Sequence, residues 1–120
     1  MKVLIVDDSR AMRMIVKRTL RQAGYRNLEI IEAVDGRDGL AKYKAERPAL
    51  ILSDWNMPNL DGYGLLEALR AAGENVPFGF VTAQGTPEMQ QRARGAGASF
   101  FVTKPITVDA LRNNLSRFIR

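Results

Sequence analysis

A single α/β unit, a doubly wound (βα)5 parallel sheet with helices on both faces, is the fold the sequence predicts, and three observations lead there. The chain has 120 residues, the size that one hydrophobic core serves. Its apolar residues switch between short continuous runs and longer stretches at helical spacing, and the switch repeats along the chain. The short runs also lack apolar/polar alternation. That is the pattern of strands buried on both faces, which pair in parallel beneath helices with right-handed crossovers.

The elements follow in order. Val3-Leu4-Ile5-Val6 is the first strand; Met12, Val16, Leu20 and Ala23 then recur at helical spacing until Gly24 closes the first helix. Leu28 to Ala33 is the second strand. Arg37 to Glu46 is the second helix, with Leu40, Ala41 and Lys44 stacked in turns and Pro48 beyond its end. Ala49 to Ser53 is the third strand, and a Pro/Asn/Gly loop from Asp54 to Gly62 leads to a helix around Leu65, Leu66 and Leu69 that ends at Gly73. Pro77 to Thr82 is the fourth strand. Thr86-Pro87-Glu88 supplies an N-cap, a first-turn proline and a first-turn acid for a fourth helix running to Gly97. Ser99 to Thr103 is the fifth strand, and Thr107 with Asp109 opens a last helix whose Leu111, Leu115 and Phe118 share a face. No linker or second unit interrupts the pattern, so residues 1–120 read as one domain without an effector segment.

Composition narrows the chemistry. With 46% hydrophobic and 26% charged residues, disordered and low-complexity classes are set aside. The chain holds no Cys and no His, which removes disulfides, thiol nucleophiles, most zinc sites and every His-dependent triad. Any metal must sit on oxygen. The apolar runs fall far short of the ~20 residues of a membrane span, and acids follow the first run at once, unlike a signal peptide; a cytoplasmic protein without membrane partners is expected. The net charge is +5. The basic residues are scattered, with no run of five or six and no interleaved aromatics, so a solvated surface is expected rather than a nucleic-acid interface.

In open α/β sheets ligands sit beyond the carboxyl ends of the strands. Here those ends carry Asp7-Asp8, Ala33-Val34-Asp35, Ser53-Asp54, Thr82-Ala83 and Thr103-Lys104-Pro105. Folding brings Asp7, Asp8 and Asp54 into one crevice, where three carboxylates repel unless a cation joins them. Mg²⁺ or Mn²⁺ suits such hard oxygen ligands and keeps open positions for phosphoryl oxygens. Lys104 can reach the same group and Thr82 adds a hydroxyl. These are the parts for moving a phosphoryl group, with a carboxylate as nucleophile. Neither a G-x-x-x-x-G-K-[ST] loop nor a G-x-G-x-x-G turn is present, so the phosphate donor is not read as a bound nucleotide. Singly, each residue has an ordinary structural explanation, as a helix cap or a turn former; their joint placement at four strand ends does not.

Asp7-Asp8, the string Asp54-Trp55-Asn56-Met57-Pro58-Asn59-Leu60-Asp61-Gly62, Val81-Thr82-Ala83 and Lys104-Pro105 together resemble the receiver domain of two-component response regulators, the chemotaxis kind above all. The resemblance spans the whole chain and implies a flavodoxin-like strand order 2-1-3-4-5. It implies Asp54 as phosphoacceptor, taking its phosphoryl group from a histidine kinase or a phosphotransfer protein. Asp8, Asp54 and the Asn56 backbone carbonyl would ligate Mg²⁺, with Asp7 acting through water. Lys104, Thr82 and Ala83 would contact the phosphoryl group, Thr82 and Phe101 would be the switch pair, and Lys104-Pro105 would be cis. The face of the fourth helix, fifth strand and fifth helix would then change and bind a downstream partner. Asn56 and Gln84 match the positions that flank the attacking water, and as amides neither can act as general base.

That reading is of a stoichiometric phosphoacceptor rather than an enzyme, a monomer or weak dimer, in chemotaxis or as an intermediate in a multistep phosphorelay. An aspartyl-phosphate phosphatase is disfavoured, because Asp7-Asp8-Ser9-Arg10 does not fit D-x-D-x-[TV]. A basic nucleic-acid module is the other alternative. Gly62 is expected to supply a positive φ, Gly79 stands where a large apolar residue is usual, and the fourth helix, poor in large apolar residues, is expected to be loosely held.

Overall fold

The computed structural model describes residues 1–119. Five strands form one parallel sheet in the order β2-β1-β3-β4-β5. They are β1 (Lys2–Val6), β2 (Glu29–Ala33), β3 (Leu50–Ser53), β4 (Phe78–Thr82) and β5 (Phe100–Thr103). Between and after them run α1 (Arg10–Gln22), α2 (Gly36–Glu46), α3 (Gly62–Ala71), α4 (Pro87–Gly95) and α5 (Val108–Leu115). Each helix starts on a side chain that accepts the N–H three residues on: Ser9, Asp35, Asp61, Thr86 and Thr107.

Pleating divides the core in two. Val3, Ile5, Leu50, Leu52 and Val81 face Val16 and Leu20 of α1 and Leu111 and Leu115 of α5. Leu4, Val6, Ile51, Phe78 and Phe80 face α2, α3 and α4 through Tyr43, Leu65, Leu66, Leu69 and Ala93. Each fully buried side chain of this size contributes about 1.5–3 kcal/mol, and β3 and β4 are buried at every position. Among the described residues no helix is long and apolar enough to cross a membrane.

Two local expectations change, and a third position finds its explanation. The buried face of α2 is Gly36, Gly39 and Tyr43, with Ala41 and Lys44 exposed; the helix lies so close to its neighbours that a Cβ at Gly36 would overlap the Leu60 carbonyl. Gly62 has no positive φ: Asn59 takes that conformation in the loop (φ 68°), while Gly62 is there because a Cβ would strike the Asp54 carbonyl oxygen. At Gly79 the missing side chain is replaced from the next strand, since the Phe100 ring occupies the space a Cβ would take.

Candidate functional site

The sheet itself assembles the site. Val6 is in register with Ala33 on one side and Ser53 on the other, and the ladder extends one residue further through Asp7 N–H to Ala33 O (3.1 Å) and Asp54 N–H to Val6 O (2.9 Å). The acids that leave β1 and β3 are therefore neighbours at one rim. One carboxylate oxygen from each of Asp7, Asp8 and Asp54 lies within 4.8 Å of the others. Lys104, held after β5 by its N–H to Thr82 O (2.8 Å), brings Nζ to 3.2 Å from Asp7 Oδ2 and 3.1 Å from Asp54 Oδ2. The Lys104–Pro105 bond is cis.

Charge at this rim is unbalanced: three carboxylates lie together and one ammonium pairs with two of them. Asp7 is only 4% exposed. Burial pushes its carboxyl up, the Asp54 charge adds to that, and the Ser9 N–H and Lys104 pull back too weakly to cancel it. For Lys104, burial works to lower the ammonium, but Asp54 and then Asp7 outweigh it and hold it above its ordinary value. A divalent cation fits the arrangement: hard oxygen donors, an excess of negative charge, and Asp8 on the exposed side as an open approach. Among the described residues no hydrogen bond ends on the Asn56 backbone carbonyl, which leaves it free as a further oxygen donor.

The other residues singled out in the sequence lie around this rim. Thr82 is buried and its hydroxyl accepts from Gln84 N–H at 3.5 Å, while Ala83 is exposed beside it. Asn56 Nδ2 donates to Gln84 Oε1 at 3.3 Å, joining the loops after β3 and β4. Phe101 is half-buried on the α4 side, 5.9 Å from Phe80 and 6.3 Å from Trp55 between ring centroids. Trp55, one residue past Asp54, is buried, and its N–H donates to Asp54 Oδ1 at 2.7 Å.

Two contacts escaped the sequence reading. Lys104 bridges Asp7 as well as Asp54. Arg13, on the helix after the acids, donates from Nη1 to the Asp7 carbonyl (2.7 Å) and from Nε to Glu32 Oε1 (2.9 Å), bracing the turn that carries Asp7 and Asp8. Nothing in the sequence marks Arg13 apart from the other basic residues of α1.

Comparison with known proteins agrees with the geometry. The response regulator receiver domain family matches over residues 3–116. Chemotaxis protein CheY-3 of Vibrio cholerae is 38% identical over 119 residues, covering 98% of this chain and 90% of that protein. A segment of the sensor protein EvgS of Escherichia coli is 32% identical, covering 98% of this chain and 10% of EvgS. Among solved structures, the chemotaxis response regulator CheY4 of V. cholerae superposes with a TM-score of 0.83 at 37% identity over 98% of each chain. A CheY-like receiver domain protein of Methanospirillum hungatei gives a TM-score of 0.83 at 29% identity, over 97% of this chain and 90% of that one.

Proposed function

Because the chain belongs to the response regulator receiver family, we propose that Asp54 accepts a phosphoryl group from a protein phosphohistidine in a Mg²⁺-dependent reaction, and that the α4-β5-α5 face passes the change to a downstream partner. The observation that supports this most is the surplus of carboxylates at the rim: Asp7, Asp8 and Asp54 within 4.8 Å of one another and a single Lys104 between them. Asp8, Asp54 and the Asn56 carbonyl would hold the ion, with Asp7 through water. A bound Mg²⁺ would supply neutralisation of the carboxylates and of the phosphoryl oxygens as charge develops on them.

The chain's own groups do the rest. An Asp54 oxygen forms the new O–P bond as the donor's N–P bond breaks, and the imidazole leaves with the bonding pair and takes up a proton. Trp55 N–H fixes one Asp54 oxygen, so the other, now facing Lys104, is the one presented to phosphorus. Lys104 then turns from a carboxylate that has lost its charge to the phosphoryl group that has brought more. Thr82 can follow with its hydroxyl, and Phe101 with its ring, toward an α4-β5 side where a groove of about 250 Å³ opens between Gln90, Arg94, Phe101 and Asn114. With amides at Asn56 and Gln84, neither of these two side chains takes a proton from water. The protein is a stoichiometric acceptor on this reading, acting in the cytoplasm, with a chemotaxis target as the first partner to seek. The likeness to a segment of a sensor protein supports a second reading, an intermediate acceptor in a multistep relay.

Incubation with Mg²⁺ and acetyl phosphate should add one phosphoryl group by mass spectrometry, and Asp54→Asn should abolish it. Labelling that survives the substitution refutes the assignment.

A further inference from the structure

Behind the acidic rim lies a group of stacked side chains for which the phosphoryl chemistry above has no use. Trp55 and Tyr63 stack with centroids 5.3 Å apart and planes 17° from parallel, and Trp55 packs on Phe80 at 4.7 Å. Over this pair lies Arg92 of α4. Its guanidinium is 4.5 Å from the Tyr63 centroid and 5.8 Å from that of Trp55, inside the range of a cation–π contact. A planar guanidinium can lie flat on both rings, which an ammonium cannot. The contact matters to α4 because the helix has little else: Ala93 is its one fully buried residue. It matters to the rim because the Trp55 backbone is pinned at both ends, its N–H on Asp54 Oδ1 (2.7 Å) and its carbonyl on Gly62 N–H (2.8 Å). The ring that Arg92 covers therefore hangs from the same residue whose N–H fixes the Asp54 carboxylate.

We infer that Arg92 is a positioning residue for Asp54, acting through the Tyr63–Trp55 stack, so that the place of α4 and the reactivity of the acceptor are coupled. Coupling between two sites is reciprocal in binding free energy. A partner that seats on α4 and draws Arg92 off the rings therefore changes the affinity of the Asp54 rim for its cation and for a phosphoryl analogue, as occupation of the rim changes the affinity for that partner. The inference rests on Asp54 being the acceptor.

The test measures the initial rate of labelling of the full chain by acetyl phosphate at saturating Mg²⁺, with the emission of Trp55, the sole tryptophan, and urea denaturation as parallel readouts. Arg92→Ala should slow labelling threefold or more and shift Trp55 emission with at most a small drop in the denaturation midpoint, since Arg92 is exposed and the contact is a single cation–π pair. Arg92→Lys should recover part of the rate. Tyr63→Leu should slow labelling similarly, and the double substitution should be no slower than the worse single one, because both break one stack. Equal rates in Arg92→Ala and wild type, or additive losses in the double variant, overturn the inference while leaving Asp54 as acceptor. If wild type itself takes no label, the acceptor reading fails and the inference with it.

Discussion

Two carboxylate clusters in this molecule meet cations in opposite proportion. Between α2 and α3, Glu74 alone receives both nitrogens of the Arg47 fork at 2.9 and 3.0 Å and the Tyr43 hydroxyl at 2.8 Å; the Arg47 and Tyr43 hydrogen bonds hold its carboxyl below the usual range. At the rim three carboxylates lie together and Lys104 pairs with only two of them, Asp7 and Asp54, and burial holds Asp7 above that range. The first cluster is neutral and satisfied; it ties two helices together and asks for nothing more. The second keeps negative charge that no described residue neutralises. Acidity is common to both, so the imbalance is what marks a site built for something brought from outside.

The largest expected difference between them is toward Mg²⁺. Asp8→Ala should weaken Mg²⁺ binding at least about tenfold, followed by Trp55 fluorescence, since on the proposed function it removes one of the one or two carboxylates that would hold the cation. Glu74→Gln should leave the titration unchanged. Equal effects at the two places would erase the distinction drawn above.

Next in size is stability without metal, where the two clusters should respond with opposite signs. Asp8→Asn relieves repulsion among three close carboxylates and should raise the unfolding free energy measured in urea, by about 1 kcal/mol for charges ~4 Å apart screened as in water, the regime of the exposed Asp8. Glu74→Gln should lower it, because Arg47 and Tyr43 lose a charged acceptor. Excess Mg²⁺ should then reverse the order at the rim: wild type gains about 2.7 kcal/mol at a hundred times its Kd, and Asp8→Asn much less. A midpoint for Asp8→Asn in EDTA at or below that of wild type contradicts the view of the rim as frustrated.

How much of this the sequence disclosed follows from what each feature leaves in it. Strands buried on both faces leave unbroken apolar runs, so all five were legible, and with them the strand ends where Asp7, Asp8, Asp54, Thr82 and Lys104 gather. The buried face of α2 was not. It packs through Gly36 and Gly39, and a close approach of backbones is invisible to a search for large apolar residues. Gly79 and Phe100 likewise exchange the large and the small position across two paired strands, which neither strand reveals alone. The links that cross between distant segments, Lys104 to Asp7, Arg13 to the Asp7 carbonyl and Arg92 over Tyr63, depend on side-chain reach rather than on any spacing in the chain.

The smallest effect is in acid, and it separates the clusters by sign once more. Glu74 has a lowered value in the folded state, so it contributes stability above its ordinary 4.5 and loses that contribution as pH falls through the lower, folded value. Asp7 has a raised value, so the folded state binds its proton more tightly than the unfolded one; stability is gained as pH falls through that raised value, and the gain is complete below the ordinary 3.8. In EDTA, then, the wild-type urea midpoint should fall less steeply between pH 7 and pH 4 than that of Asp7→Asn, which has lost the gain. Below about pH 4.5 the Glu74→Gln midpoint should fall less steeply than wild type, having no contribution left to lose. Lys104 and the Ser9 N–H act on Asp7 against burial, so the slope rather than any single midpoint is the quantity to compare. A constant offset between Asp7→Asn and wild type at every pH would mean that burial does not hold the Asp7 proton, and the imbalance at the rim would then rest on Asp8 and Asp54 alone.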